Sequence, residues 1–152
     1  MLELWPSFLS YSLSYIFVGI VWANHHRLLR YVETAEPAVI GTNLVSLFFV
    51  SLIPFFTAYT ADSHFEPFTT AVYAAVLLCA TVGYVFFEWA ITRARARKDE
   101  VRGARGLTTW RDWFGLACYA SAIPGAYLHP AVSLILIFAV AVVYSEPLWR
   151  RR

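Results

Sequence analysis

Trp22-Ala23-Asn24-His25-His26-Arg27-Leu28-Leu29-Arg30 is where the chain changes solvent. Before it, residues from Pro6 to about Asn24 form a long apolar run; after it come two arginines and a polar connection. A hydrocarbon core of about 30 Å is crossed by roughly 20 apolar residues in helix, which is the length of that run. A tryptophan at such a boundary anchors a helix at the lipid–water interface, and arginines just beyond it mark the cytoplasmic side. These residues therefore read as the inner end of a membrane-crossing helix.

The composition agrees. Of 152 residues, 59% are hydrophobic and 14% charged, whereas soluble domains carry about a quarter charged residues. A soluble globule of this composition would expose large sticky patches. No basic tract interleaved with aromatics suggests nucleic acid as a partner. Cys79 and Cys118 both lie in apolar runs, where a thiol acts as a small hydrophobe rather than as part of a disulfide framework or zinc site. No serine, cysteine or metal constellation suggests an enzyme, and no cofactor is expected.

Working outward, residues 1–152 read as one integral membrane domain with an all-α fold, a polytopic bundle of five spans at about 6–24, 37–59, 67–92, 111–128 and 131–148. Pro6 and Pro37 suit first helical turns. Pro54 should kink the second span by removing one backbone hydrogen bond. Thr42 and Asn43 are its polar members near the start. Small residues at helical spacing mark packing faces: Ser7, Ser10 and Ser14 with Tyr11 in the first span, Ala71, Ala75, Cys79 and Gly83 in the third, and Ala117, Ser121 and Gly125 in the fourth. Pro124 should kink the fourth, and His129-Pro130 makes a tight turn into the fifth. Residues 93–110 read as a solvated basic loop loosened by Gly103 and Gly106.

All 12 Lys and Arg fall after span one, between spans three and four, or in the tail at Arg150–Arg152. One alternation accounts for them: N-terminus outside, C-terminus cytoplasmic. Trp22, Trp89, Trp110, Trp113 and Trp149 sit at the same ends. Five spans with an outside N-terminus lacking a secretory leader are awkward to insert. An additional preceding span would remove the difficulty, so the chain reads as beginning one helix late.

Three polar features remain. His25 and His26 point about 100° apart on a helix, too far to share one metal. His64 and His129 lie on the opposite side, which leaves no matching ligand for a bis-histidine haem. Two readings stay open: an interfacial cap satisfied by water and backbone, or a network in which Asn24 or His25 faces another helix. Thr81-Val82-Gly83-Tyr84-Val85 nearly spells a potassium-channel filter, but a filter needs extended backbone in a re-entrant loop, and these residues lie within an unbroken apolar run. Gly83 then belongs to a packing stripe. Glu88 and Glu146 sit near cytoplasmic ends, Glu88 able to snorkel toward the basic loop and Glu146 spaced to pair with Arg150.

Leu4-Trp5-Pro6-Ser7-Phe8-Leu9-Ser10-Tyr11, then Gly19-Ile20-Val21-Trp22 with Asn24-His25-His26-Arg27-Leu28, resembles the second span of the transmembrane protein 175 family. Asn43-Leu44 and Ser51-Leu52-Ile53-Pro54-Phe55 resemble its third. The later spans match only as generic apolar helices. The resemblance implies a bacterial-type potassium channel of six spans per subunit, assembled as a tetramer. Its pore is lined by the first span and narrowed by a bulky apolar constriction. That span carries a Phe-Ser-Asp motif held by polar residues at positions matched here by Trp22, His25 and His26. No Phe-Ser-Asp occurs in this sequence, so by the family pattern it lacks the pore-lining first span.

The expectation is thus a leak-type, potassium-permeable cation channel subunit in the cell membrane. It would be incomplete at the pore, with the lipid bilayer and copies of itself as partners and potassium as the permeant ion. A non-conducting membrane scaffold or interaction protein derived from the same family is the alternative.

Overall fold

The computed structural model of the chain describes residues 5–32, 36–98 and 107–149. Those residues form five helices: α1 (Trp5–Leu29), α2 (Pro37–Asp62), α3 (Pro67–Lys98), α4 (Trp110–Leu128) and α5 (Pro130–Trp149). Prolines open α2, α3 and α5, where a fixed φ and a missing N–H do no harm. The readings placed on Arg102, Gly103, Arg105, Gly106 and the arginine tail, and on the side chains of Ser7, Ser10, Glu146 and Trp149, lie outside the described residues.

Successive helices α2 to α5 pack side by side as antiparallel neighbours, and α1 closes the bundle by touching both α2 and α5. The central core joins α2, α3, α4 and α5 through Ile53, Leu77, Tyr119, Ala122, Ile137 and Val140. A second cluster near the other end of α3 joins Leu28, Val39, Phe87, Ala90, Ile91 and Ala94. Large apolar side chains line the outside, among them Ile16, Phe48, Phe55, Phe86, Ile135 and Phe138. Among the described residues, α2 and residues 67–97 of α3 are each long and apolar enough to cross a bilayer. The described part of α5 is a shorter apolar helix.

The polar linker begins later than the sequence suggested. Residues 93–98 continue α3 as helix rather than opening a loop, and residue 110 already belongs to α4. Alanine and arginine are good helix formers, and Ala90, Ile91 and Ala94 are buried against Leu28 and Val39. The extension is packed on one side while its arginines face outward. Arg95 lies over the Tyr31 ring at 5.4 Å, and Arg97 reaches Glu36 at 3.4 Å.

Two stripes also differ. In α4, Ala117 and Ser121 are exposed, and the buried face is Asp112, Gly115, Tyr119, Ala122, Gly125 and Ala126. In α3, Cys79 faces outward although Ala71 and Gly83 are buried. A strict four-residue step drifts about 40° per repeat, so such positions cannot all meet one neighbour. Gly83 does meet α2 closely: a Cβ there would lie 3.1 Å from the Cα of Ser46. Thr81–Val85 is helical, with Thr81 Oγ1 donating to the Leu77 carbonyl at 2.9 Å. α2 runs without a break through Pro54.

At the end opposite the arginines, α2 turns into α3 with His64 and Phe65 at positive φ. Hydroxyls hold the turn. Ser63 and Thr69 are 2.6 Å apart, and Thr60 donates to the Thr69 carbonyl at 3.2 Å.

Candidate functional site

The nine residues from Trp22 to Arg30 divide between two faces of α1. Asn24, His25 and Leu28 are buried; Trp22, His26, Arg27 and Arg30 are exposed. Trp22 and His26, four apart, stack on the outer face with ring centroids 5.1 Å apart. His25 stacks on Phe87 of α3 at 5.2 Å. It also approaches Asn43 of α2, whose buried Oδ1 closes no hydrogen bond among the described residues. The structure therefore brings His25 and Asn43 together and keeps His26 and Trp22 on the outside, while Pro54 and Gly83 lie elsewhere on α2 and α3.

Asn24 has a different neighbour. Its Nδ2 donates to the Ile20 carbonyl at 2.9 Å and to the Tyr144 carbonyl of α5 at 3.2 Å. Its Oδ1 accepts from Arg27 Nη2 at 3.0 Å. One side chain thus ties α1 to α5 and holds an arginine at the bundle's end.

Around that tie lies a cavity of about 360 Å³, walled by Asn24, Arg27, Tyr84, Glu88, Asp112 and Tyr144 together with Tyr31, Leu107 and Thr109. The start of α4 builds one wall. The Asp112 carboxylate reaches back to cap its own helix, Oδ2 accepting from the Thr109 amide at 2.6 Å and from Thr109 Oγ1 at 2.8 Å. Such a carboxylate satisfies amides that the first helical turn leaves bare. Its other oxygen accepts from the Tyr144 hydroxyl at 2.9 Å. Tyr84 and Glu88, one turn apart on α3, form the facing wall.

Glu88 does not snorkel to the surface. It is 4% exposed; Thr108 lies against its carboxyl, and its Oε2 lacks a hydrogen-bond partner among the described residues. A smaller cavity of about 60 Å³, lined chiefly by apolar residues such as Phe17, Ile53 and Leu77, lies deeper in the bundle. Asn24, Tyr84 and Tyr144 line both spaces. Sequence reading singled out Asn24 but missed Tyr84, Tyr144 and the role of Asp112. The Thr109-x-x-Asp112 spacing is a capping signature, and Tyr84 stands four residues before Glu88; those were the available signals.

A helical bundle with an apolar exterior and, among the described residues, its arginines gathered toward one end defines a polytopic membrane protein. Comparison with known proteins narrows the class. A family model described as the endosomal/lysosomal potassium channel TMEM175 matches residues 1–54. A potassium channel of Chryseobacterium sp. (strain P1-3) is 28% identical over 142 residues, covering 93% of this chain and 73% of that protein. A potassium channel of Streptomyces collinus is 31% identical over 128 residues, 74% of this chain and 62% of its own length. The crystal structure of a lysosomal potassium-selective channel TMEM175 homolog from Chamaesiphon minutus shares the fold, with a TM-score of 0.76 at 24% identity, over 96% of this chain and 76% of that one. The resemblance read around Trp22 and Pro54 is borne out: the chain is a relative of the TMEM175 potassium channels, a membrane protein and not an enzyme.

Proposed function

We propose that the chain is a subunit of a potassium-permeable, leak-type cation channel of the cell membrane, working as a homo-oligomer, a tetramer by its resemblance. What carries the reading is that a relative matching 93% of the chain is named a potassium channel, and that the bundle has the fold of a potassium-selective one. In this reading the five helices each cross the bilayer, with the N-terminus outside and the C-terminus cytoplasmic. Arg27, Arg30, Arg93, Arg95, Arg97 and Arg111 fall at helix ends that alternate onto one side, as cytoplasmic basic residues do. Trp22, Trp89, Trp110 and Trp113 are exposed near those ends, where interfacial anchors belong. In this reading the inter-helix polar contacts are two, Asn24 tying α1 to α5 and His25 beside Asn43 of α2, and Trp22 with His26 forms an outward-facing pair available to a neighbouring helix.

Potassium efflux from liposomes reconstituted with the purified chain tests the function. Efflux well above protein-free vesicles supports it; efflux equal to theirs rejects conduction and favours a scaffold. Tags at the N-terminus and in the arginine-rich connection should be reached from opposite sides of the membrane.

A further inference from the structure

Guanidiniums from three helices, far apart in sequence, are gathered at the wide cavity. Arg27 of α1 and Arg111 of α4 line it, together with the rings of Tyr31 and Trp110. Arg95 of α3 stands over the Tyr31 ring at 5.4 Å, and Arg111 over the Trp110 ring at 5.8 Å. Arg27 is fixed from within, its Nη2 donating to Asn24 Oδ1 at 3.0 Å. Stacking holds a guanidinium by its face, whereas oxyanions bind at its edge, where five N–H donors form a fork that matches phosphate oxygens.

Exposure sorts the lining. Arg27, Tyr31 and Trp110 are exposed and Arg111 is half-buried, while Asn24, Glu88 and Asp112 are buried. The carboxyls therefore make the floor of the cavity and the guanidiniums its mouth. Asp112 accepts from Thr109 and Tyr144. The Glu88 carboxyl has Thr108 against it and the charge of Arg27 near it. An incoming cation meets the guanidiniums first and is repelled. An anion that stops at the mouth meets them favourably and stays clear of the floor.

We propose that this mouth binds one phosphate anion, the charged group common to lipid headgroups and the free ion, with Arg27 and Arg111 as its ligands and Arg95 adding positive field from beside Tyr31. The volume of about 360 Å³ is many times the ~30 Å³ share of a single water, so a phosphate enters with water around it. The position favours a lipid as the source. Trp110 and Trp113, on the first turn of α4, are exposed, as tryptophans at headgroup level are. Basic pockets between membrane helices hold anionic headgroups at that level. The inference rests on the chain lying in a membrane and not on conduction.

Thermal unfolding of the purified full chain in nanodiscs tests the proposal, comparing phosphatidylcholine alone with phosphatidylcholine containing phosphatidylglycerol. The midpoint should rise by several degrees and saturate as phosphatidylglycerol is added. The readout is the difference between lipids, not the absolute midpoint. Arg27→Gln and Arg111→Gln should each lose most of that rise. Arg97→Gln, which alters a guanidinium paired with Glu36 outside the cavity lining, should keep it. Sodium phosphate against sodium chloride at equal ionic strength, in phosphatidylcholine discs, forms the second arm. A rise confined to phosphatidylglycerol assigns the site to the lipid; a saturable rise with inorganic phosphate supports the site and gives it the free ion as a ligand. No rise with either overturns the proposal. So does an equal loss in Arg97→Gln, which marks general attraction of a basic surface to a negative membrane.

Should both cavity variants fail to fold, native mass spectrometry of the wild-type chain decides. One phosphatidylglycerol retained per chain, under activation that strips phosphatidylcholine, supports the site. Equal loss of the two lipids, with no inorganic phosphate retained in their place, overturns it. Lipid retention without liposome efflux rejects conduction and leaves this site standing.

Discussion

The Tyr144 hydroxyl donates to Oδ1 of Asp112 at 2.9 Å, and this bond fastens the far half of α5 to the first turn of α4. Asp112 serves two helices at once, because its other oxygen caps α4 through Thr109. Hydrogen bonds to charged groups contribute about 1.5–3 kcal/mol each, and losing a cap costs about 1 kcal/mol. Tyr144→Phe should therefore destabilise the chain by roughly 1–2 kcal/mol, and Asp112→Ala by more. The double variant should resemble Asp112→Ala, since groups in one network do not add. Chemical unfolding of the detergent-solubilised chain would read all three; strict additivity would show that the bond contributes nothing.

The two adjacent histidines should respond very differently to substitution. His25 is buried and stacked on Phe87, whereas His26 stacks only on exposed Trp22. His25→Ala should cost about 2–4 kcal/mol as a cavity-forming change, and it should disturb conduction if His25 orients a neighbouring helix. His26→Ala should stay within roughly 0.5 kcal/mol for the isolated subunit. A larger effect of His26→Ala on oligomer size than on subunit unfolding would place the Trp22–His26 pair in a contact between chains.

Gly83 lies where α3 and α2 come closest. Gly83→Ala puts a methyl 3.1 Å from the Ser46 Cα, and that neighbour is backbone that cannot swing aside. The helices must separate, at a cost of about 1–3 kcal/mol. Gly19 and Gly41 have open space around them within the chain. Alanine at either should stabilise the isolated subunit by roughly 0.5–1 kcal/mol through helix propensity. Unfolding midpoints of the three variants check the ordering, and a stabilised Gly83→Ala would contradict the close approach.

Asn24 is the polar side chain that links α1 to α5. Asn24→Ala removes two donated bonds and releases Arg27, and should destabilise by about 1–3 kcal/mol. Proteolysis or hydrogen exchange should show α1 loosening before the α3–α4–α5 core. Uniform loosening of all helices would show that the tie is not local.

Much of the architecture could be read in the apolar runs and the prolines that open them. That His25 and His26 diverge by about 100° followed from helical geometry alone; which of them faces the bundle did not. The wide cavity could not be read in the same way. Asn24 and Tyr144 lie 120 residues apart, and nothing in local spacing says that α1 packs against α5. Glu88 was read as reaching for water because sequence indicates distance from a span's end, not what surrounds a side chain there. The extended end of α3 was missed for a related reason. Its arginines suggested a solvated loop, while the alanines between them, which pack on Leu28 and Val39, carried the structural information. In α4 the small residues Ala117 and Ser121 suggested a contact face. The face used inside the chain is set instead by Tyr119 and Ala122, which fill the core.

α3 runs 32 residues without interruption, a rod of about 48 Å at 1.5 Å per residue, against a hydrocarbon layer of about 30 Å. No joint separates its arginine-bearing tip from the segment that holds Gly83 and Glu88. Whatever grips or tilts that tip must also lever the lipid-embedded length, so a pull applied in the aqueous phase is felt at the α2 contact as a torque.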